Sequence, residues 1–392
     1  LLAEVARGGM TSVLHISQAT QYGLERYLTD LLQDQVQRGW RLTLACPPSA
    51  ALEAVCARTG VEYRHWESRR SPGPSVPVEM RALRTIVTDV DPEVVHLHSS
   101  KAGLVGRLTI RGRRPTLFSP HAWSFLHEGS LMQRASLQWE RWGARWADVV
   151  ICGSAAERAR GQRAGIRGDL RVVPNSVDLG RFRPAASGER ALARDRLDGA
   201  ASEVGSGLLV ACVGRLVPQK GPDLLLEAWR EVHTEVPDAT LVMVGDGELR
   251  DELVAHAPAG VVFAGPADDV RDWFVAADLV VQPSRWETLS LSVLEALACG
   301  RAVVATDVEG MREAIGDEPA SRAGAIVPPD APAPLAAALV ELLRDHDARE
   351  ACEQRATERA ARFGLPAWGD AIAAIVTEVA ARPRARHTGG AR

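Results

Sequence analysis

Lysine is nearly missing from this chain: Lys101 and Lys220 are the only two among 46 basic residues, and the rest are arginine. Where a guanidinium serves almost everywhere, a retained ammonium marks a position that suits a compact, flexible cation. No apolar run reaches the ~18 residues a membrane span needs, and the first residues lack a secretory pattern. The six cysteines (Cys46, Cys56, Cys152, Cys212, Cys299 and Cys352) form no CxxC pair. That spacing argues against a zinc ribbon or a disulfide framework and for a reducing compartment. Positive charge is not in excess: the formal net charge is −4, so no global field attracts nucleic acid. No GxGxxG follows the first strand-like run of either half, which counts against a dinucleotide-dependent oxidoreductase. What remains is ordinary globular material, 46% hydrophobic and 24% charged over 392 residues, about two to three domains in length. The expectation is a soluble, cytoplasmic protein starting at Met10, with residues 1–9 an extension.

Short apolar runs alternate with amphipathic stretches. Strands are expected at Ser12–Ser17, Arg41–Cys46, Val94–His98, Thr116–Ser119, Val149–Cys152 and Arg171–Val173. A second series reads at Leu208–Val213, Thr240–Val244, Val261–Ala264, Leu279–Gln282, Ala302–Thr306 and Ala325–Val327. Between the series, residues 180–206 read as a linker with one short helix, and residues 346–381 as helix without strands. Near-continuous apolar strands separated by helices imply parallel sheets covered on both faces. The fold class is therefore α/β, two doubly wound Rossmann-like domains, with a ligand cleft expected between them.

The second half carries the strongest chemistry. Gly214-Arg215 ends its first strand, and Gln219-Lys220-Gly221 opens the next helix. A loop there lies at the carboxyl edge of the sheet, where an Arg and a Lys five residues apart converge on an anion such as a diphosphate. Pro283 through Glu295 then runs from a strand into a helix, with Glu287 before the helix and Glu295 about two turns inside it. Amides at a helix start hold phosphate, and carboxylates nearby can accept sugar and ribose hydroxyls. The plainer alternative is a first-turn capping Glu and a surface Glu.

Taken together, Gly214-Arg215, Gln219-Lys220-Gly221, Val242 through Gly247, the Glu287/Glu295 pair, Ala302–Asp307 with Gly310, and Gly324–Pro329 resemble the retaining glycosyltransferases of family four. In the first half, Val95 through Gly103 resembles the "HLHSSKAG" run of a bacterial polysaccharide-type branch, Ser119 through Phe125 its "PHAWSF" run, and Val172 through Asp178 its "PNGVD" segment. The resemblance implies a GT-B fold with residues 1–180 as acceptor domain, 181–365 as nucleotide-sugar donor domain, and 366–392 as a helix crossing back to the first domain plus a basic tail. It implies catalytic roles for His121, Arg215, Lys220 and Glu287. Donor contacts would come from Gly23, Gly214, Gly245, Thr288, Leu289, Ser290, Leu291 and Glu295 as well. His98, Ser99, Lys101 and Trp123 are acceptor candidates, and Lys101 alternatively caps the preceding strand turn. The implied donor is a nucleoside diphosphate sugar, UDP-linked, and the implied acceptor a glycan or lipid-linked glycan, with a natural-product aglycone as the alternative. No cofactor and no metal is implied. The chain departs from the family at Gln21-Tyr22-Gly23-Leu24, which keeps one Gly of a usual pair, at Ser176, and at Thr288 and Ser290.

A nucleotide-sugar epimerase or a non-catalytic sugar-nucleotide binder would share this architecture, and a phosphorylase would need a cofactor lysine that neither lysine supplies. Asp345-His346-Asp347 spells DxD but falls between helices and reads as a solvated turn. His96 and His98 share one strand face, with no third metal ligand evident in the sequence. Trp139, Trp142 and Trp146 form a helical stripe flanked by Arg134, Arg141 and Arg145. It reads either as a face packed on the sheet or as a peripheral contact with an anionic membrane.

Overall fold

The computed structural model describes residues 11–126, 131–197, 207–267 and 269–382. The expected start at Met10 and the basic tail beyond Arg382 lie outside the described residues. The chain divides into two units, Leu1–Pro174 with Pro366–Arg392, and Asn175–Leu365. The division falls before the expected 180/181 boundary, and the C-terminal helix belongs with the first unit.

The first unit is built on β1 (Ser12–Ser17), β2 (Arg41–Cys46), β3 (Glu62–His65), β4 (Val94–His98), β5 (Thr116–Ser119), β6 (Val149–Cys152) and β7 (Leu170–Val172). These form one sheet in the order β3-β2-β1-β4-β5-β6-β7, with every neighbouring pair parallel. Every residue of β1, β4, β5 and β6 is buried, as strands covered by helices on both faces must be. β3 is not among the expected strands, because its sequence Glu-Tyr-Arg-His carries no apolar run. It is an edge strand that pairs with β2 alone and stays partly exposed. The helix Ala50–Thr59 also escapes a sequence reading, since it buries only Leu52, Val55 and Cys56.

The last helix, Leu365–Ala380, completes this unit. Trp368 packs edge-on against Tyr27 at 5.1 Å, Arg38 bonds Asp370 at 2.8 Å, and Arg171 grips Glu378 through both guanidinium nitrogens. A Cβ on Gly369 would meet Asp34 Oδ1 at 2.3 Å, so the helix backbone lies directly on its neighbour.

The second unit contains β8 (Leu208–Val213), β9 (Ala239–Val244), β10 (Val261–Gly265), β11 (Leu279–Gln282), β12 (Val303–Thr306) and β13 (Gly324–Val327), in the order β10-β9-β8-β11-β12-β13. Part of the expected linker is integral to it. Phe182 and Ala193 are fully buried, and the helix Glu189–Arg196 sends Arg190 and Arg194 to Asp278 at the start of β11. The sequence hides this because an Arg-rich helix shows its partner only in three dimensions. Both sheets reverse strand order once, at β1/β4 and at β8/β11, and ligands of open α/β sheets bind outside the carboxyl ends there.

Candidate functional site

In the second unit the expected residues gather at the β8/β11 reversal. The loop after β8 carries Gly214, Arg215, Gln219 and Lys220, and the loop after β11 carries Pro283 through Ser290. Backbone bonds interlock the neighbouring turns: Gly214 N–H donates to Val244, Gly245 N–H to Gly265 and Leu216 N–H to Asp246. Gly245 has φ 142°, and a Cβ there would lie 2.0 Å from the Gly214 oxygen, so only glycine fits. Gly310 (φ 80°) is held likewise, its Cβ direction ending 2.1 Å from the Thr288 oxygen.

Lys220 and Glu287, read separately from the sequence, form one ion pair between these loops. Glu287 is buried, and its Oε1 also accepts from Ser284 Oγ at 2.9 Å, which in turn accepts from Gln282 Nε2 at 2.7 Å. Arg215 donates to Gln219 Oε1 at 2.9 Å, and Gln219 Nε2 donates to the Trp286 carbonyl at 3.2 Å. Arg285 clamps the same loop to Asp223 (2.7 and 2.8 Å) and Asp330 (2.8 Å), and its hydrogen bond holds the Asp223 carboxyl below its ordinary range. The helix Leu291–Ala298 starts here with Ser290 at its N-cap, and Ser290 Oγ is buried without a hydrogen-bond partner. Glu295 is buried in that helix, and Leu289 is fixed by Asn175 Nδ2 at 2.8 Å from its carbonyl. Gln219, Ser284 and Asn175 lie inside motifs read from the sequence but receive no role of their own there, and Gln282 closes a strand without any signal, because uncharged amides and hydroxyls do not announce their partners. A cavity of about 520 Å³ lies beside this edge, lined by Asp246, Gly247, Glu248, Arg250, Asp251, Gly265 and Pro266.

In the first unit, unusual backbone collects at the β1/β4 reversal. Tyr22, Ser99, His121 and Ala122 all have positive φ (58°, 76°, 51° and 98°), although none is glycine. Each follows the carboxyl end of β1, β4 or β5, and such strain, about 1–3 kcal/mol per residue, concentrates at functional sites. Tyr22 precedes Gly23, so a tyrosine adopts the conformation that a glycine would favour; Gly23 itself is exposed in the first turn of its helix. The His121–Ala122 turn is held by Ala122 N–H donating to Glu157 Oε1 at 2.9 Å, and Glu157 is buried at the start of a helix capped by Ser154 Oγ.

The acceptor candidates fare differently. Lys101 is only 4% exposed, its Nζ lying 2.8 Å from Glu79 Oε2 and donating to the Ser71 carbonyl at 3.2 Å. It therefore neither caps the strand turn nor reaches an open surface: it is one half of a buried ion pair. Trp123 is also interior, its indole N–H bonded to the Glu157 carbonyl at 2.9 Å and its ring stacked on Phe125. His98 is fully buried, bridging His15 and His121 at 3.1 and 3.3 Å, while Ser99 is half-buried at the turn. The absence of a third histidine near His96 and His98 is corrected by the fold: β1 brings His15 beside them. In the tryptophan stripe, Trp139 and Trp146 are half-buried and Trp142 is exposed, with Arg145 stacked on Trp142 at 4.7 Å. Asp345 Oδ1 accepts from Ala348 N–H at 2.9 Å as a helix cap, and His346 is exposed. Among the described residues no helix is long and apolar enough to cross a membrane.

Known proteins match this chain along the same division. Residues 22–181 match the family described as Glycosyltransferase Family 4, and residues 207–345 match Glycosyl transferases group 1. A D-inositol 3-phosphate glycosyltransferase of Kineococcus radiotolerans is 33% identical over 71% of this chain and 68% of its own. The UDP-Gal:alpha-D-GlcNAc-diphosphoundecaprenol alpha-1,3-galactosyltransferase of Escherichia coli is 27% identical over 56% of this chain and 58% of its own. Several other curated relatives are matched over about half their length. The solved structure of Anabaena HepE in complex with UDP and glucose has a TM-score of 0.79 at 21% identity, covering 94% of this chain and 100% of that one. With two parallel Rossmann-like sheets, both family profiles in order and a relative of this similarity, the chain belongs to glycosyltransferase family 4 and has the GT-B fold.

Proposed function

We propose that this protein transfers a sugar from a nucleoside diphosphate, UDP foremost, to an acceptor hydroxyl with retention of anomeric configuration and without a metal ion in the reaction. The observation that carries the reading is the Lys220–Glu287 pair joining the loops after β8 and β11 beside the start of the helix Leu291–Ala298. Arg215, Lys220 and the first amides of that helix neutralise the leaving diphosphate, an electrostatic role. Glu287 receives hydroxyls of the transferred sugar, Glu295 receives the ribose diol, and His121 contacts the donor sugar. The bond from the sugar C1 to the β-phosphate oxygen breaks, and the acceptor oxygen bonds C1 on the same face. The acceptor proton passes to the departing phosphate oxygen. A UDP complex of HepE and the UDP-galactose donor named for the Escherichia coli relative support the choice of nucleotide.

For the acceptor we favour a lipid-linked glycan met at a membrane surface. Leu131, Met132 and Trp142 are exposed on one helix with Arg134 and Arg141, Arg145 follows in the next turn, and the Escherichia coli relative is named for a diphosphoundecaprenol-linked acceptor. The test is a panel of nucleotide sugars assayed with acceptor in a chelator for nucleoside diphosphate release, with the product's anomeric configuration read by NMR. Arg215→Ala and Lys220→Ala are each expected to lower transfer on the order of 10²–10³-fold. Near-wild-type turnover of both at saturating donor, or an inverted product, rejects the reading.

A further inference from the structure

His15 on β1 and His96 and His98 on β4 lie on one face of the first sheet. The register pairs His15 with His96, and His96 and His98 are two residues apart on the same strand. All three are fully buried, and one ring nitrogen of each lies within 4.8 Å of one from each of the others. The far nitrogen of every ring has an outer partner. His15 Nε2 meets Gln35 Oε1 at 2.8 Å, His96 Nε2 meets Ser119 Oγ at 2.8 Å, and His98 Nδ1 meets His121 Nε2 at 3.3 Å. That leaves His15 Nδ1, His98 Nε2 and His96 Nδ1. The first two are 3.1 Å apart, about the bite of two imidazoles on a tetrahedral ion with Zn–N near 2.0–2.1 Å. His96 Nδ1 is buried with no hydrogen-bond partner.

Three imidazoles, each anchored from outside by its second nitrogen, reproduce the arrangement of ligand and orienting shell found around bound transition metals. We propose that His15, His96 and His98 form a binding site for a borderline divalent ion of the zinc class. Burial disfavours the imidazolium form of each ring, so an ion need only select the tautomer that frees the inward nitrogen.

The ion would also set the tautomer of His121. Without it, Gln35 accepts from His15 Nε2–H, His15 Nδ1 from His98 Nε2–H, and His98 Nδ1 from His121 Nε2–H. With an ion on His98 Nε2, its proton resides on Nδ1 and donates to His121 Nε2, leaving the His121 proton on Nδ1. No proton is gained or lost, and no step depends on the transfer reaction.

The probe is Co²⁺, titrated into the chelator-treated full chain and followed by visible absorption. The expected result is an intense tetrahedral-type spectrum that saturates stoichiometrically, is displaced by Zn²⁺, and persists in His346→Ala, a change at an exposed histidine. His96→Gln should abolish it, and Gln35→Leu, outside the ligand set, should weaken affinity by ~10–100-fold. In ¹⁵N spectra of histidine-labelled protein, Zn²⁺ should move the His121 proton from Nε2 to Nδ1. If His96→Gln does not fold, Gln35→Leu and Ser119→Ala decide. Absence of the spectrum, or a spectrum unchanged in the folded variants, overturns the site. Sugar transfer is assayed separately, so either conclusion can fall alone.

Discussion

Acidification should loosen the first unit through its histidines. His15 has an ordinary value of 6.5, and burial pushes it to about 4, against the hydrogen bond it donates to Gln35 Oε1, which raises it. Above pH 6.5 neither the folded nor the unfolded state holds the extra proton, and His15 is silent. Below 6.5 the unfolded chain binds it while the folded one does not, so stability falls with pH and the loss levels off below about pH 4. At pH 5 the loss from His15 alone comes to about 2 kcal/mol, reaching about 3 kcal/mol at pH 4. His96 and His98 are lowered as well and act in the same direction. The assay is hydrogen exchange of the β1 and β4 amides in metal-free protein at pH 7 and 5, corrected for intrinsic rates. Those strands report the first unit alone, whereas a global melt would mix two units. His15→Gln keeps a polar side chain but cannot titrate. Its loss between pH 7 and 5 should be smaller than wild type by about 2 kcal/mol. Equal losses in the two proteins would refute the argument.

Three further outcomes are expected. Lys101→Ala should destabilise the first unit by about 3–5 kcal/mol by stranding the buried Glu79, and Lys101→Met with Glu79→Leu should recover most of it; hydrogen exchange of the β1 and β4 amides showing a loss below about 1 kcal/mol for the single change would contradict the burial. In calorimetry with UDP, Glu295→Ala should weaken binding, while Glu287→Ala should leave affinity intact or raise it, because Lys220 is released from its partner, yet abolish transfer. The opposite pattern would exchange the two roles. Co-sedimentation with anionic liposomes at low salt should be detectable, fall as salt rises, and weaken in Trp142→Ala with Arg145→Ala; protein wholly in the supernatant would favour a soluble acceptor.

The sequence is most legible where burial leaves a continuous apolar run. The bounds of β4, β5 and β11 match the expected strands to the residue. It is least legible at edges, where β3 needs only β2 and therefore carries polar residues. The donor-side motif is readable because its glycines and charges sit within short loops, yet the Lys220–Glu287 pairing spans 67 positions and no local pattern encodes it. Lysine scarcity marks two special positions but not what they do. Lys101 meets Glu79 from a preceding helix, and that meeting depends on how two helices pack. The histidine cluster shows the same limit: His96 and His98 are visible as a pair, whereas His15 joins them only once β1 and β4 are laid side by side.

The first unit is discontinuous in sequence, since Leu365–Ala380 reaches Tyr27, Arg38 and Arg171 only after the whole second unit has been threaded between. On a ribosome making ~5–20 residues per second, the second unit's strands would all be available some seconds before this closing helix emerges. Until then the Tyr27 ring lacks its Trp368 neighbour, and Arg38 and Arg171 lack the carboxylates of Asp370 and Glu378. A chain cut after Leu365 and released should therefore carry a complete second unit beside an unfinished first one, making the incomplete chain, rather than the mature protein, the species most in need of a chaperone.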